Sequence, residues 1–216
     1  MGTQNNFKKH GVCPPIAVLC SGQGTNLQAV INAIRARRLR ARIAVVISDR
    51  AAAFALVRAK RADIPTVFVD PKHYASRAAC DRRLIAVLQS YQVRLICLAG
   101  FMRVLSPVFV RRFRNRILNI HPALLPAFPG AHAIQDALAW GARVSGVTVH
   151  LVDEHVDHGP ILLQEAVAIR PEETEKRVVT RVHQVEHRLY PKAIQLMLDG
   201  RVKLVGRVVR LKAARA

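Results

Sequence analysis

At 216 residues the chain suffices for one domain with a substantial core, and 51% apolar with only 5% aromatic content fits an α/β protein. No stretch reaches the roughly 18 uncharged apolar residues of a membrane helix, and the first 15 residues lack a signal peptide's apolar core, so a cytoplasmic protein is expected. The formal charge of +20, from 34 basic and 14 acidic residues, leaves both anionic small substrates and polyanions open as partners. "IAVLCS" (residues 16–21) is a short apolar run ending in a small residue and reads as a buried strand. "GQGT" follows, then "NLQAVINAIRARR", where Leu27, Val30, Ile31 and Ile34 recur at helical spacing. A second strand over 42–48, a helix in "AAAFALVRAKRA" and a third strand over 66–69 come next, then the helix "SRAACDRRLIAVLQSY" and a fourth strand over 94–100. Ser106-Pro107 supplies an N-cap and a proline at the first helical position for "PVFVRRF", and "RILNI" is a fifth strand.

Five short apolar runs alternating with helices specify an open, mainly parallel, doubly wound (Rossmann-like) sheet. After the prolines 122, 126 and 129 a helix is expected around "AIQDALAWG". "SGVTVHLV" (145–152) and "ILLQEAVAI" (161–169) are joined by a link too short for a crossover helix, which predicts an antiparallel addition. A long amphipathic C-terminal helix follows, with Glu172 and Glu173 near its start, where the helix dipole favours acids. Residues 1–15 are expected to form a disordered arm, 16–200 the main domain and 201–216 a basic tail.

Strand, then Ser21-Gly22-Gln23-Gly24-Thr25-Asn26, then helix, suits an anion: glycines let the backbone approach it and free N–H groups at the helix start donate to it. The loop is not a dinucleotide fingerprint, which would need glycine at Leu27, and no Gly-Lys-Ser/Thr follows as in a P-loop. A plain strand-to-helix turn capped by Thr25 or Asn26 is the alternative.

Ligands of an open parallel sheet bind at the carboxyl ends of its strands. Asn119 and His121 fall at the end of the fifth strand, and residues two apart share a face, so amide and imidazole can converge. An Asn can donate to a developing oxyanion while an imidazolium stabilises it or moves a proton, which points to acyl transfer. Asp157, in the Gly/Pro-bounded "DEHVDHGP", is the candidate partner for His121. His155 and His158 raise metal ligation, but there is no HExxH and no thiolate set, so no metal is expected. Cys13, Cys20, Cys80 and Cys97 show no CxxC spacing, and Cys20 and Cys97 sit in strand-like runs as small hydrophobes. With no G-x-S-x-G elbow and no cysteine placed as a nucleophile, direct transfer without a covalent enzyme intermediate is expected.

The positive charge is uneven: residues 1–118 hold 21 Lys/Arg and 4 Asp/Glu, the remainder 13 and 10. The arginines are spread over many helices, as in "IRARRLRAR" and "VRRFRNR", and read as solvated faces that steer anionic small substrates, with no nucleic acid required.

"LCSGQGTNLQAVI", "LAGFMRVLSP", "LNIHPALLPAFPG", "GVTVHLVDEHVDHGPIL" and "RVHQVEHRLYP" occur in this order over about residues 15–200. Together they closely resemble the phosphoribosylglycinamide formyltransferase (glycinamide ribonucleotide transformylase) family of folate-dependent formyltransferases. The resemblance implies formyl transfer from 10-formyltetrahydrofolate to the amine of 5′-phosphoribosylglycinamide in de novo purine (IMP) biosynthesis, by a monomer or homodimer. It implies Asn119, His121 and Asp157 as catalytic residues. Gly24, Thr25 and Asn26 match the loop for the substrate phosphate, and Glu186 the residue at the ribose. Arg77, Met102, Arg103, Val104, Leu105 and Asn119, with Val152, Asp153 and Val156, match the folate pocket. His158 departs from the family's usual small residue, and +20 is an unusual charge for such an enzyme. Formyltetrahydrofolate deformylase shares the trio but is expected to carry a domain ahead of it, and methionyl-tRNA formyltransferase a further C-terminal domain. A nucleic-acid-binding module would instead show salt-sensitive binding through its arginines.

Overall fold

The strongest apolar runs form the middle of a seven-stranded sheet, and the helices between them cover both of its faces. In a computed structural model, which describes residues 13–213, the strands are β1 (Pro15–Cys20), β2 (Arg42–Ser48), β3 (Thr66–Phe68), β4 (Leu95–Leu98), β5 (Ile117–His121), β6 (Val144–Leu151) and β7 (Ile161–Ala168). The helices are α1 (Thr25–Arg35), α2 (Phe54–Lys60), α3 (Arg77–Ser90), α4 (Pro107–Arg112), α5 (Ala133–Ala139) and α6 (Glu175–Leu198). Most of the expected N-terminal arm, residues 1–12, and residues 214–216 lie outside the described residues.

The strand order is β3-β2-β1-β4-β5-β6-β7. The first five strands run parallel, while β6 pairs antiparallel with β5 and with β7, the second pairing as the short β6–β7 link predicts. Every residue of β1 and β4 is buried, because a parallel strand with helices on both faces has no solvent side. Alternation along β1 divides the core. Ile16, Val18 and Cys20 pack with α1, α2 and α6, while Ala17 and Leu19 pack with α3 and α4. Tyr190 of α6 is fully buried and bonds through its hydroxyl to the Leu98 carbonyl (2.7 Å), tying the long helix to the end of β4.

Two local expectations are corrected. Ser106 does stand at the N-cap of α4, but its hydroxyl makes no capping bond; its backbone N–H is held by Asp81 at 2.6 Å instead. Glu172 and Glu173 lie near the start of α6, as expected, just before its N-cap Thr174, and Glu175 is the acid within its first turn. Within the segment read as a basic tail, β8 (Val202–Val205) and β9 (Val208–Leu211) form an antiparallel hairpin. Its alternating "VKLVGRVVRL" turns Val202, Leu204 and Val209 onto the core and leaves Lys203 and Arg210 outside.

Candidate active site

The sheet order reverses at β1, whose neighbours β2 and β4 lead away in opposite directions. A crevice therefore opens at the carboxyl ends of β1 and β4. Ser21 bridges it: its N–H donates to the Gly100 carbonyl (3.0 Å) and its Oγ accepts from the Met102 N–H (2.9 Å). Above lies a cavity of about 640 Å³ lined by the loops after β1, β4 and β5, by the end of β6 and its following loop, and by α6.

At one end of the cavity is the glycine loop. Gly24 caps α1 in the left-handed region (φ 69°), and a Cβ there would lie 2.7 Å from the Ala55 side chain and 2.8 Å from its Cα, so only glycine fits. Neither Thr25 nor Asn26 caps the helix, contrary to the alternative reading of this loop as a side-chain-capped turn. Asn26 turns inward, and its Nδ2 donates to Glu186 Oε2 at 3.0 Å. Burial pushes the Glu186 carboxyl up to about 7, against the pull of the Asn26 bond. The Asn26 Oδ1 is buried with no hydrogen-bond partner among the described residues. His183 lines the same end, 4.0 Å from Glu186, and Arg50 adds a cation beside the loop; neither stood out in the sequence.

At the centre, Asn119 and His121 extend from the end of β5 as their spacing predicts, and Asp157 meets both. Asn119 Nδ2 donates to Asp157 Oδ1 (3.2 Å), and His121 Nδ1 lies 3.3 Å from Asp157 Oδ2. The other ring nitrogen, Nε2, is 2.8 Å from the Phe128 carbonyl. Both nitrogens of this buried ring thus face acceptors, an arrangement the doubly protonated imidazole satisfies. The Gly130 N–H donates to Asp157 Oδ2 (2.8 Å). Burial alone would push the Asp157 carboxyl up; the neighbouring His150 imidazole, the Gly130 N–H and the His121 ring outweigh it and hold the group below its ordinary range.

His150 is the central residue that sequence reasoning missed. Its Nε2 lies 3.2 Å from Asn119 Nδ2 and 3.6 Å from Asp157 Oδ1, with Nδ1 on the Leu151 carbonyl at 3.0 Å. The β5–β6 register sets it opposite Asn119, and Thr148 opposite His121. The polar alternation in "VTVHLV" signals one polar face, but only the register says which residues that face meets.

The other wall is largely apolar. Met102, Val104 and Val156, all about half exposed, line it with Leu105, Val152 and Asp153. Arg103 contributes to the lining, but its guanidinium is engaged elsewhere: it pairs with the fully buried Asp81 at 2.8 Å and donates to Cys80 Sγ at 3.1 Å. Its charge anchors the 102–106 segment. Arg77, at the start of α3, is exposed and does not line the cavity. Asp153, His155 and His158 hold potential ligand atoms within 4.8 Å of one another, yet the Arg207 guanidinium lies 3.3 Å from both ring nitrogens of His158, a poor setting for a cation. The thiols of Cys20 and Cys97 are buried in the sheet; burial pushes Cys20 up to about 12 and Cys97 higher, which suits small hydrophobes and not nucleophiles.

Residues 15–194 match the formyl transferase family model. The phosphoribosylglycinamide formyltransferase of Haemophilus influenzae is 45% identical over 189 residues, covering 88% of this chain and 89% of that protein. The crystal structure of glycinamide ribonucleotide transformylase 1 from Symbiobacterium toebii superposes with a TM-score of 0.91 at 47% identity, covering 98% of this chain and 99% of that one. The trifunctional purine biosynthetic protein adenosine-3 of Gallus gallus is 47% identical over 88% of this chain, which spans only 19% of that longer protein.

Proposed function

The chain belongs to the formyl transferase family, and from that premise we propose that it acts as a phosphoribosylglycinamide formyltransferase. The substrates are 10-formyltetrahydrofolate and 5′-phosphoribosylglycinamide, the product serves de novo purine biosynthesis, and the enzyme works in the cytoplasm as a monomer or homodimer without nucleic acid. The observation that carries this reading is the convergence of Asn119, His121 and Asp157 in one hydrogen-bonded cluster, between a glycine loop at one end of the cavity and an apolar wall at the other.

The ribonucleotide phosphate sits on the N–H groups around Gly24, Thr25 and Asn26 at the start of α1. Its ribose hydroxyls reach the Glu186 carboxyl, which the Asn26 amide holds at 3.0 Å. The folate lies along Met102, Val104, Leu105, Val152 and Val156, its flat apolar rings covering side chains otherwise left to water. Arg103 supports this wall through Asp81, and Arg77 makes contact only with a ligand group extending beyond the cavity.

The substrate amine attacks the formyl carbon, forming a C–N bond and turning the carbonyl into an oxyanion. Asn119 shifts its amide from Asp157 to that oxygen, and the His121 ring turns an N–H from the Phe128 carbonyl toward it. One such donor contributes on the order of 10²–10³ in rate. Asp157 keeps His121 charged and receives the proton lost by the attacking nitrogen, directly or through water. Collapse of the intermediate breaks the bond from carbon to N10 of the folate, which takes up a proton. Mixing enzyme with both substrates and following deformylated folate tests the reading: release must require the ribonucleotide, whereas release to water alone is hydrolase behaviour.

A further inference from the structure

We propose that Arg207, on the turn of the β8–β9 hairpin, is a positioning residue that clasps the Asp157 loop through His158. The inference rests on the function proposed above and adds a residue that no reading of the sequence implicated.

The loop leaving β6 is built tightly around Asp157. The Leu151 N–H closes its neck on the Pro160 carbonyl (2.9 Å), and a Cβ on Gly159 would lie 1.7 Å from the Leu151 carbonyl oxygen. Asp153 organises the interior: Oδ1 accepts the His155 N–H (3.0 Å), and Oδ2 takes His158 Nδ1 at 2.7 Å. Asp157 itself stands at φ 49°, a left-handed conformation that is unfavourable for an L-residue and persists only where its surroundings impose it. Through its carboxylate, Asn119 and Gly130 impose it. On the following residue, Arg207 does: Nη2 donates to the His158 carbonyl, and Nη1 lies 3.3 Å from both nitrogens of the His158 ring.

The hairpin can serve as an anchor because it is fixed independently of the loop. Val202, Leu204 and Val209 pack on the core, and the Lys212 N–H bonds to the Arg201 carbonyl at 2.8 Å. A guanidinium is suited to the contact, since its planar fork can donate to a carbonyl while lying against a ring. His158, where the family resemblance implies a small residue, supplies that ring. Hairpin, His158 and Asp153 thus form one chain of contacts that ends beside the carboxylate held to His121.

The test compares Arg207→Ala, Arg207→Lys and, as a control removing one charge from the same hairpin, Lys203→Ala. Because the clasp is exposed, its loss has a modest effect: in Arg207→Ala, kcat/KM for the folate falls about fivefold. The fall appears as a raised folate KM and a lowered kcat, with the ribonucleotide KM and the melting temperature unchanged. Arg207→Lys, which keeps a cationic donor for the carbonyl, recovers most of the loss, and Lys203→Ala behaves as wild type. Deuterium uptake by a peptide spanning 152–159 rises in Arg207→Ala. Wild-type kinetics in Arg207→Ala, or a ribonucleotide KM that rises equally with the folate KM, overturns the clasp. If the wild-type chain transfers no formyl group, the functional reading fails, while the deuterium uptake still decides whether Arg207 holds the loop.

Discussion

Two carboxylates in one cavity are tuned in opposite directions, and their pH behaviour separates them. Burial raises Glu186 from an ordinary 4.5 to about 7, so the folded chain holds that proton more tightly than the unfolded one. The stability this lends is complete below about pH 4.5 and is lost as pH rises to about 7, amounting to about 3 kcal/mol. Urea titrations across that window will show the wild type losing this amount relative to Glu186→Gln. Asp157 lies below its ordinary value, so its contribution is present above the ordinary value and lost only as pH falls through the lower folded one. Asp157→Asn will show less acid-side destabilisation than wild type and, with no carboxylate to receive the proton of the attacking amine, a lowered kcat. His121→Ala will lose at least 100-fold in kcat while binding folate nearly as well, measured by turnover and by fluorescence quenching. At this scale the sequence was legible where chemistry is local. Asn119 and His121 could be read from a two-residue spacing at a strand end. His150 could not, since its place depends on a β5–β6 register that no short motif encodes. Nor could the engagement of Arg103, because its partner Asp81 lies 22 residues away on α3.

Among the elements, the turns that approach the ligands tolerate the least change. Gly24→Ala would drive a methyl group into Ala55 and strain a left-handed backbone, displacing the N–H groups at the start of α1. Its expected signature is a ribonucleotide KM raised tenfold or more, with a folate KM that barely moves. Gly159→Ala meets the Leu151 carbonyl and must open the Asp157 loop, so both kcat and the folate KM should suffer. Initial-rate kinetics varying each substrate in turn separates the two variants. The parallel strands were legible because burial on both faces leaves an unbroken apolar run, and the antiparallel addition because its link is short. The C-terminal hairpin was obscured by its charge: Lys203, Arg207 and Arg210 make the segment look like a solvated tail, although Val202, Leu204 and Val209 face the core.

For the whole molecule, strand order does what no single segment could announce. Placing β4 beside β1 brings residues 21–26 and 98–105 to one crevice, and the antiparallel return of β6 delivers Asp157 to His121. The +20 charge remains outside this chemistry and is expected to act as a field. Raising salt from 50 to 200 mM should therefore increase the KM of the phosphate-bearing substrate a few-fold, and any single-stranded RNA bound at low salt should be released. Formyl transfer to the ribonucleotide can be followed in one cuvette. Purified chain and 10-formyltetrahydrofolate are combined, 5′-phosphoribosylglycinamide is then added, and deformylated folate is followed by absorbance. No folate is expected to be released before the ribonucleotide is added, one should be released per ribonucleotide formylated after it, and none with His121→Ala. Release before the ribonucleotide, or full activity in that variant, would contradict this mechanism.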